Sequence, residues 1–565
     1  MDFKEKIAQL ISNIVDMNKS DIKELIEVPQ NCTMGDYALP CFKLAKELKK
    51  SPGLIAKDIT EKIPDVEYFE KVGAVNGYVN FFVQKEFFIS GILSDIINKK
   101  EEYGKSDLGK GKNIVIDYSS PNVAKPFHAG HLRSTVIGKA LYNIFNFIGY
   151  NSIGINHLGD WGTQFGKLIM AYKNWGDKET VERDDVKELS RIYVKYHEES
   201  EKNPSLDDEA RGWFVKMQNG DKEALDLWKW FIDISMKEYN RIYERLNIKF
   251  DYFTGESFYN DKMDAVVDEL KEKNLLTKSE GAEIVELDNF NMPPCLIIRS
   301  DGGTLYPTRD ISAAFYRKKE YDFDKCIYVT AFDQNLHFAQ WFKVIELMGY
   351  DWSDRLIHVP FGLVNLPDGK MSTRSGRVVL MEDILNSAVN KAINVINEKN
   401  PELENKEQVA EQVGIGAIIF NDLYNSRIKN VVLDLDKMLN FDGETGPYVQ
   451  YTYARTCSLL KKGNVDENGI LGESEYITDE ASYRVIKLLE EFPAKVIDAA
   501  DKYEPYIVTR HIVDICQAFN KFYHDNNILG SEEKIKKARL SLTFAVNCVI
   551  NSGLKILGID APERM

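Results

Sequence analysis

The spacing of apolar and polar positions changes its period several times along the chain. The opening residues, through Met17, are charged and helically periodic, and the later run Tyr78-Val-Asn-Phe-Phe-Val83 reads as a strand. Residues 1–105 are therefore expected to form a small α+β domain. The polar, glycine-containing stretch Glu101–Lys112 has the composition of a linker. From Asn113 strands and helices alternate. Ile114–Tyr118 is a short apolar run, after which Leu132, Val136, Ala140, Leu141, Ile144, Phe145 and Ile148 recur at helical spacing and stop before Gly149. The same order returns at Cys326–Val329, with a helix over about Phe338–Leu347, and at Leu356–Val364. Such alternation predicts an α/β domain with a Rossmann-like, doubly wound parallel sheet over about 106–381. Lys173 to about Asp251 departs from it, being helical, charged and Trp-rich, and predicts an insertion that runs over about 173–300. From Glu382 onward the pattern is helical to the end, which predicts an α-helical C-terminal bundle.

Composition narrows the class. At 565 residues the chain has room for about four domains of roughly 150 residues. Apolar residues make 44% and charged residues 28%, which excludes wholesale disorder. Lys+Arg 72 against Asp+Glu 88 gives −16, which does not advertise nucleic-acid binding. A basic groove can still sit on an acidic protein, and the last forty residues are net +2. Seven scattered cysteines, never spaced C-x-x-C, argue against a disulfide framework and a cysteine zinc site. The N-terminus lacks the apolar core of a signal peptide, and no stretch of 18 apolar residues exists. A cytoplasmic protein with no membrane segment is expected.

Candidate chemistry concentrates at Ser119-Ser-Pro-Asn-Val-Ala-Lys-Pro-Phe-His128-Ala-Gly-His131, between the first predicted strand of the sheet and its long helix. Ligands of open α/β sheets bind beyond the carboxyl ends of strands. The free N–H groups and positive dipole end of a helix favour phosphate. His128 and His131 are three apart and project to one side, and Gly130 between them leaves room for a flat base to approach the backbone. These features point to an ATP site, with no G-x-x-x-x-G-K-[ST] loop anywhere. Far downstream, Asp368-Gly-Lys370-Met371-Ser372-Thr373-Arg374-Ser375-Gly376 reads as a glycine-bounded loop whose Lys370 and Arg374 could clasp the β- and γ-phosphates.

An H-x-G-H turn followed by a K-M-S loop resembles the class I aminoacyl-tRNA synthetases. More narrowly, Pro121–His131, Gly159-Asp-Trp-Gly-Thr-Gln-Phe-Gly166, Tyr306-Pro-Thr-Arg-Asp310 and Gly446-Pro-Tyr-Val-Gln-Tyr451 resemble the arginyl-tRNA synthetase family. The resemblance implies an enzyme, an arginine–tRNA ligase, that joins L-arginine to tRNA(Arg) through an arginyl-adenylate, with ATP as substrate, Mg²⁺ as its counter-ion and no resident metal. It also implies that activation of arginine needs bound tRNA. By motif match His128, Gly130, His131, Lys370, Met371 and Ser372 would bind ATP. The second Lys of the fullest family loop is replaced here by Thr373, and Lys125 would supply the missing cation beside Arg374. Ser120, Asn122 and His131 would hold the amino and carboxylate end of arginine, while Tyr306, Asp310 and Gln334 would meet its side chain, with Asp310 against the guanidinium. Residues 1–105 would touch the tRNA elbow, 382–440 the tRNA stem, and 441–565 the anticodon, with Tyr448, Gln450, Tyr451, Phe519, Asn520 and Tyr523 as candidate contacts. A monomer is expected. Two other readings share these features: another H-x-G-H adenylate-forming ligase, and a non-catalytic RNA-binding relative.

Overall fold

The computed structural model describes residues 3–29, 34–300, 303–367, 369–370, 379–466, 468–469 and 473–565. The chain forms two compact units. One comprises residues 1–103, 456–491 and 515–549, the other residues 104–455, 492–514 and 550–565.

The larger unit is built on a five-stranded sheet of β1 (Asn113–Asp117), β2 (Asn151–Asn156), β3 (Tyr252–Phe253), β4 (Phe323–Ala331) and β5 (Leu356–Phe361), in the order β5-β4-β1-β2-β3. All four pairings are parallel, with Cys326 opposite both Val115 and Leu356. The order reverses between β1 and β4, the place where doubly wound sheets open a crevice. Helix α1 (Ala129–Phe147) follows β1 and buries the predicted apolar positions Leu132, Val136, Ala140, Leu141 and Ile144. On the rest of the sheet, α3 (Tyr306–Tyr321) and α4 (Asn335–Leu347) share a core of Val115, Ile311, Ala314, Cys326, Trp341 and Val344. Each of these side chains is removed from water, and their burial is the main force holding helix to sheet.

The expected insertion over 173–300 is helical in its first part, with helices Lys178–Lys202, Ser205–Gln218 and α2 (Lys222–Arg245). It is not continuous. Tyr252–Phe253 returns to the main sheet as its edge strand, and a three-stranded antiparallel sheet of Thr277–Ser279, Ala282–Val285 and Cys295–Ile298 follows. Two- to four-residue strands carry too little alternation to register as a period. Beyond Met381 the chain is helical, including α5 (Lys406–Leu423). Among the described residues of this part, Val431–Val432 is a strand and pairs in parallel with Val364–Asn365. No helix among the described residues is long and apolar enough to cross a membrane.

In the smaller unit, Tyr78–Val83 is the central strand of an antiparallel sheet, between Tyr37–Pro40 and Phe69–Val75. Asp36 accepts the Val83 N–H (2.9 Å) and pairs with Lys487, Tyr37 donates to Glu490 (3.0 Å), and Tyr103 donates to the Leu489 carbonyl (3.1 Å). Its interior thus joins residues from opposite ends of the sequence.

Candidate functional site

His128 is the N-cap of α1. Its Nδ1 accepts the Gly130 N–H (3.0 Å), and the His131 Nδ1 accepts the His128 N–H (3.2 Å), a reciprocal box built from two imidazoles. The rings stack with centroids 3.9 Å apart. The cap itself favours glycine at 130: a Cβ there would lie 2.8 Å from the His128 ring. Both Nδ1 atoms are occupied as acceptors, so each ring is neutral with its hydrogen on Nε2, ready to donate. Electrostatics agrees. Burial, then His128 and Lys125, hold His131 well below the ordinary imidazole range, and burial with Lys125 lowers His128. Two neutral Nε2–H donors at a helix N-terminus suit an anion.

The segment before the histidines leaves β1 through left-handed backbone at Ser119 (φ 70°), Ser120 (φ 45°) and Ala124 (φ 64°), conformations that cost energy for residues other than glycine. Side chains hold them there. Asp117 ends β1, accepts the Ser120 hydroxyl (2.8 Å) and pairs with the buried Arg317 (2.7 Å). The Ser119 N–H donates to Ser134 Oγ (2.9 Å), and the Ser119 hydroxyl meets Tyr243 (2.8 Å). The Ser120 Oγ also accepts the His157 N–H (3.1 Å). From α2, Ser235 accepts the Ala124 N–H (3.0 Å), Glu238 accepts the Phe127 N–H (3.0 Å), and the Tyr239 hydroxyl shares its proton between the Asn122 (2.8 Å) and Lys125 (2.7 Å) carbonyls. The Asn122 and Lys125 side chains remain exposed. Gly159 pairs with this loop as a strand would, through Val123 N–H to Gly159 O (3.1 Å) and Gly159 N–H to Pro121 O (3.1 Å). A Cβ on Gly159 would fall 2.3 Å from Asn122 Oδ1.

Tyr306 and Asp310 sit in the first turn and a half of α3, with Pro307 inside its N-terminus. Tyr306 is 61% exposed. Asp310 is three-quarters buried, and its Oδ2 lies 2.6 Å from Nε2 of His337 on α4. Gln334 lies in the short 3-10 turn between β4 and α4 and is exposed. Glu256 pairs with Arg309 (3.1 Å), and Asp160 accepts both the N–H and the hydroxyl of Ser257 (2.8 and 2.6 Å). Burial, with Asp310 and Asp160 as like charges, pushes Glu256 up to about 7 against the pull of Arg309. This is an acidic corner whose charge Arg309 offsets only in part.

The structure thus brings Ser120, Asn122, Lys125, His128, Gly130, His131 and Gln334 to the carboxyl edge of the sheet, with Tyr306 and Asp310 on the helix that packs beside it. Lys370 lies in a short strand, Gly369–Lys370, antiparallel to Asn365–Leu366. Its side chain, and Met371, Ser372, Thr373 and Arg374, lie outside the described residues. Val379–Met381 returns to the histidines: Ala129 N–H donates to Val379 O (3.2 Å) and Met381 N–H to Phe127 O (2.9 Å).

Two candidate tRNA contacts need correction. Gln450 is fully buried, donating to the Gln412 (3.0 Å) and Asp560 (2.7 Å) carbonyls, and Phe519 is fully buried in the smaller unit. Phe519 follows the rule that aromatic residues at helical spacing form core, whereas Gln450 is buried because its amide is spent on two backbone carbonyls. Tyr451 and Tyr523 are exposed, and Tyr448 and Asn520 are half-buried. The sequence reading missed Asp117, Glu238, Tyr239, Glu256, His337 and Arg133. One signal was available: Ser235, Glu238 and Tyr239 place polar groups at helical spacing on one face of α2.

Comparison with known proteins converges. Residues 92–435 match the family model for the catalytic domain of class I tRNA synthetases (R), residues 449–565 the DALR anticodon binding domain, and residues 1–83 the arginyl tRNA synthetase N terminal domain. The chain is 54% identical to an arginine–tRNA ligase of Alkaliphilus metalliredigens and 55% identical to one of Halothermothrix orenii, each covering both chains fully. In fold it resembles Thermus thermophilus arginyl-tRNA synthetase, with a TM-score of 0.83 at 22% identity over the whole of both chains. On the match of its catalytic region and its identity to these relatives end to end, the chain belongs to the arginyl-tRNA synthetase family.

Proposed function

We infer that the chain is an arginine–tRNA ligase, joining L-arginine to tRNA(Arg) at the expense of ATP. The observation that carries this reading is the unbroken identity of more than half to relatives named arginine–tRNA ligase, in a chain that also presents the two-histidine cap. The arginine carboxylate attacks the α-phosphorus of ATP, expelling pyrophosphate and leaving arginyl-adenylate. The terminal ribose hydroxyl of the tRNA then attacks the activated carbonyl, and AMP departs. Phosphoryl transfer of this kind asks mainly for positioning and for charge stabilisation.

In this reading the Nε2–H groups of His128 and His131 donate to the phosphate and adenosine side of ATP, over the Gly130 backbone. Lys125, exposed on its clamped loop, brings a cation to the transferring phosphates, and Lys370, Met371, Ser372 and Arg374 are assigned to the same nucleotide. Ser120, Asn122 and His131 hold the arginine backbone groups, and Asp310, Tyr306 and Gln334 hold its side chain, the acidic corner supplying the preference for a cation. Mg²⁺ would accompany ATP as its counter-ion and offset the charge of its phosphates. Exposed Tyr451 and Tyr523 offer stacking faces for RNA. The helical region over 382–440 lies along the tRNA stem, 441–565 reads the anticodon and 1–105 reaches the elbow. In this reading the enzyme acts as a monomer in the cytoplasm, where tRNA is charged.

Charging of unfractionated tRNA by the purified chain, tried with each amino acid in turn, tests the reading. Arginine alone should be transferred. Adenylate formation with a different acid and no transfer would favour the other ligase reading, and RNA binding without any adenylate would favour the non-catalytic one.

A further inference from the structure

Two residues beyond His131, Arg133 is wholly buried, and so is its partner Asp422 on α5. The Arg133 Nε faces both carboxylate oxygens (3.1 and 3.3 Å), while Nη1 donates to the Gly362 carbonyl (3.0 Å) and the Lys429 carbonyl (2.6 Å). Nη2 has no hydrogen-bond partner. A buried ion pair with an idle nitrogen is weak evidence for stability, because apolar side chains of similar volume usually do as well. The identity of the groups it joins is more informative. They belong to four separate pieces of chain: α1, the end of β5, α5, and the loop after α5.

The pieces beyond β5 lead towards Lys370. Gly362 N–H donates to Arg427 O (2.9 Å), Leu363 N–H to Asn430 Oδ1 (2.8 Å) and Val431 N–H to Leu363 O (3.0 Å). Strand Val364–Leu366 then pairs with Val431–Val432 on one side and Gly369–Lys370 on the other. One guanidinium therefore fastens the helix that begins at the two histidines to the root of the strand pair that carries Lys370. Its planar fork does this by placing separate donors on a carboxylate and on two carbonyls from different segments, which a lysine ammonium on a flexible stem cannot reproduce.

We propose that Arg133, held by Asp422, is a positioning residue for the nucleotide half of the site, keeping the two-histidine helix in register with the strand that delivers Lys370. This rests on the reading that both elements bind one ATP molecule. Misplacement of such groups by about an ångström commonly costs on the order of a hundredfold in rate.

Three full-length variants test it: Arg133→Lys, Asp422→Asn and the apolar double variant Arg133→Met/Asp422→Leu. Thermal unfolding is measured alongside direct ATP binding, and alongside tRNA-supported pyrophosphate exchange with the KM for ATP and for arginine determined separately. The double variant should unfold near the wild-type temperature, because the ion pair is replaced by packing. Its ATP affinity should nevertheless fall by about tenfold or more, with the KM for arginine within about twofold of wild type. Arg133→Lys should show the same split. A well-folded double variant or Arg133→Lys with wild-type ATP affinity overturns the proposal, and so does a parallel rise of both KM values, which is what general loosening would give. His131→Asn separates the two layers of inference: should it leave ATP binding intact, the reading of the site fails, and not merely the role of Arg133.

Discussion

At the scale of single residues, the corner formed by Asp160, Glu256 and Asp310 gathers more negative charge than Arg309 and His337 can offset when all three carboxyls are ionised. Two consequences can be measured. Asp310→Asn should depress arginine activation by about 10- to 150-fold, the worth of one hydrogen bond to a charged group, while narrowing the preference for arginine over citrulline. Full selectivity in that variant would move the guanidinium partner to Asp333. Glu256, raised to about 7, takes up a proton on folding between its ordinary value and 7, so its contribution favours the fold at low pH and is lost as pH rises through 7. Glu256→Gln cannot titrate, and its stability relative to wild type should improve by about 2–3 kcal/mol between pH 4.5 and pH 8; a difference that does not vary with pH would contradict the assignment. Lys125→Ala should slow single-turnover activation far more than it weakens arginine binding, and near-normal activation would return the missing charge to another residue. His128 and His131 stood out in the sequence by their spacing around Gly130, whereas Lys125 and Asp310 were singled out only by resemblance to the family. His337, Glu256 and Asp422 were invisible, because each acquires its meaning from a partner that only the tertiary structure supplies.

Elements tell a similar story through a different mechanism. Helix α1 and strands β1, β4 and β5 were legible because each carries an apolar run, whereas β2, with its sequence Asn-Ser-Ile-Gly-Ile-Asn, has too few apolar positions to stand out. The two- to four-residue strands were not legible, and neither was the part played by α2. Seen along the sequence, α2 is one charged helix of an insertion. In the structure Ser235, Glu238 and Tyr239 grip the Asn122–Phe127 backbone and hold strained residues such as Ala124 in place. Tyr239→Phe removes the proton that two carbonyls share. It should lower stability by about 1–3 kcal/mol and reduce the activation rate, with the KM for tRNA unchanged. Measuring both KM and kcat for charging checks this, and a defect confined to the KM for tRNA would detach α2 from the chemistry.

For the whole molecule, resemblance to the family implies that arginine is activated only with tRNA bound. Full-length protein freed of RNA should therefore show little pyrophosphate exchange until tRNA(Arg) is added, and vigorous exchange without RNA would speak against the arginyl assignment. The helical end and the alternating middle were legible because each keeps its own apolar period over many residues. What no periodicity could show is that the smaller unit is assembled from three stretches of chain, residues 1–103, 456–491 and 515–549, because long-range closure leaves no local trace.

That three-part assembly has a consequence for synthesis. When Tyr103 leaves the ribosome, its partner at Leu489 does not yet exist, and neither do the Lys487 that pairs with Asp36 and the Glu490 that accepts from Tyr37. At roughly 5–20 residues per second, the 386 positions that separate Tyr103 from Leu489 take on the order of 20 to 80 seconds to make. For that interval the nascent amino-terminal segment must persist with its apolar face incompletely covered, a natural client for a chaperone at the exit tunnel.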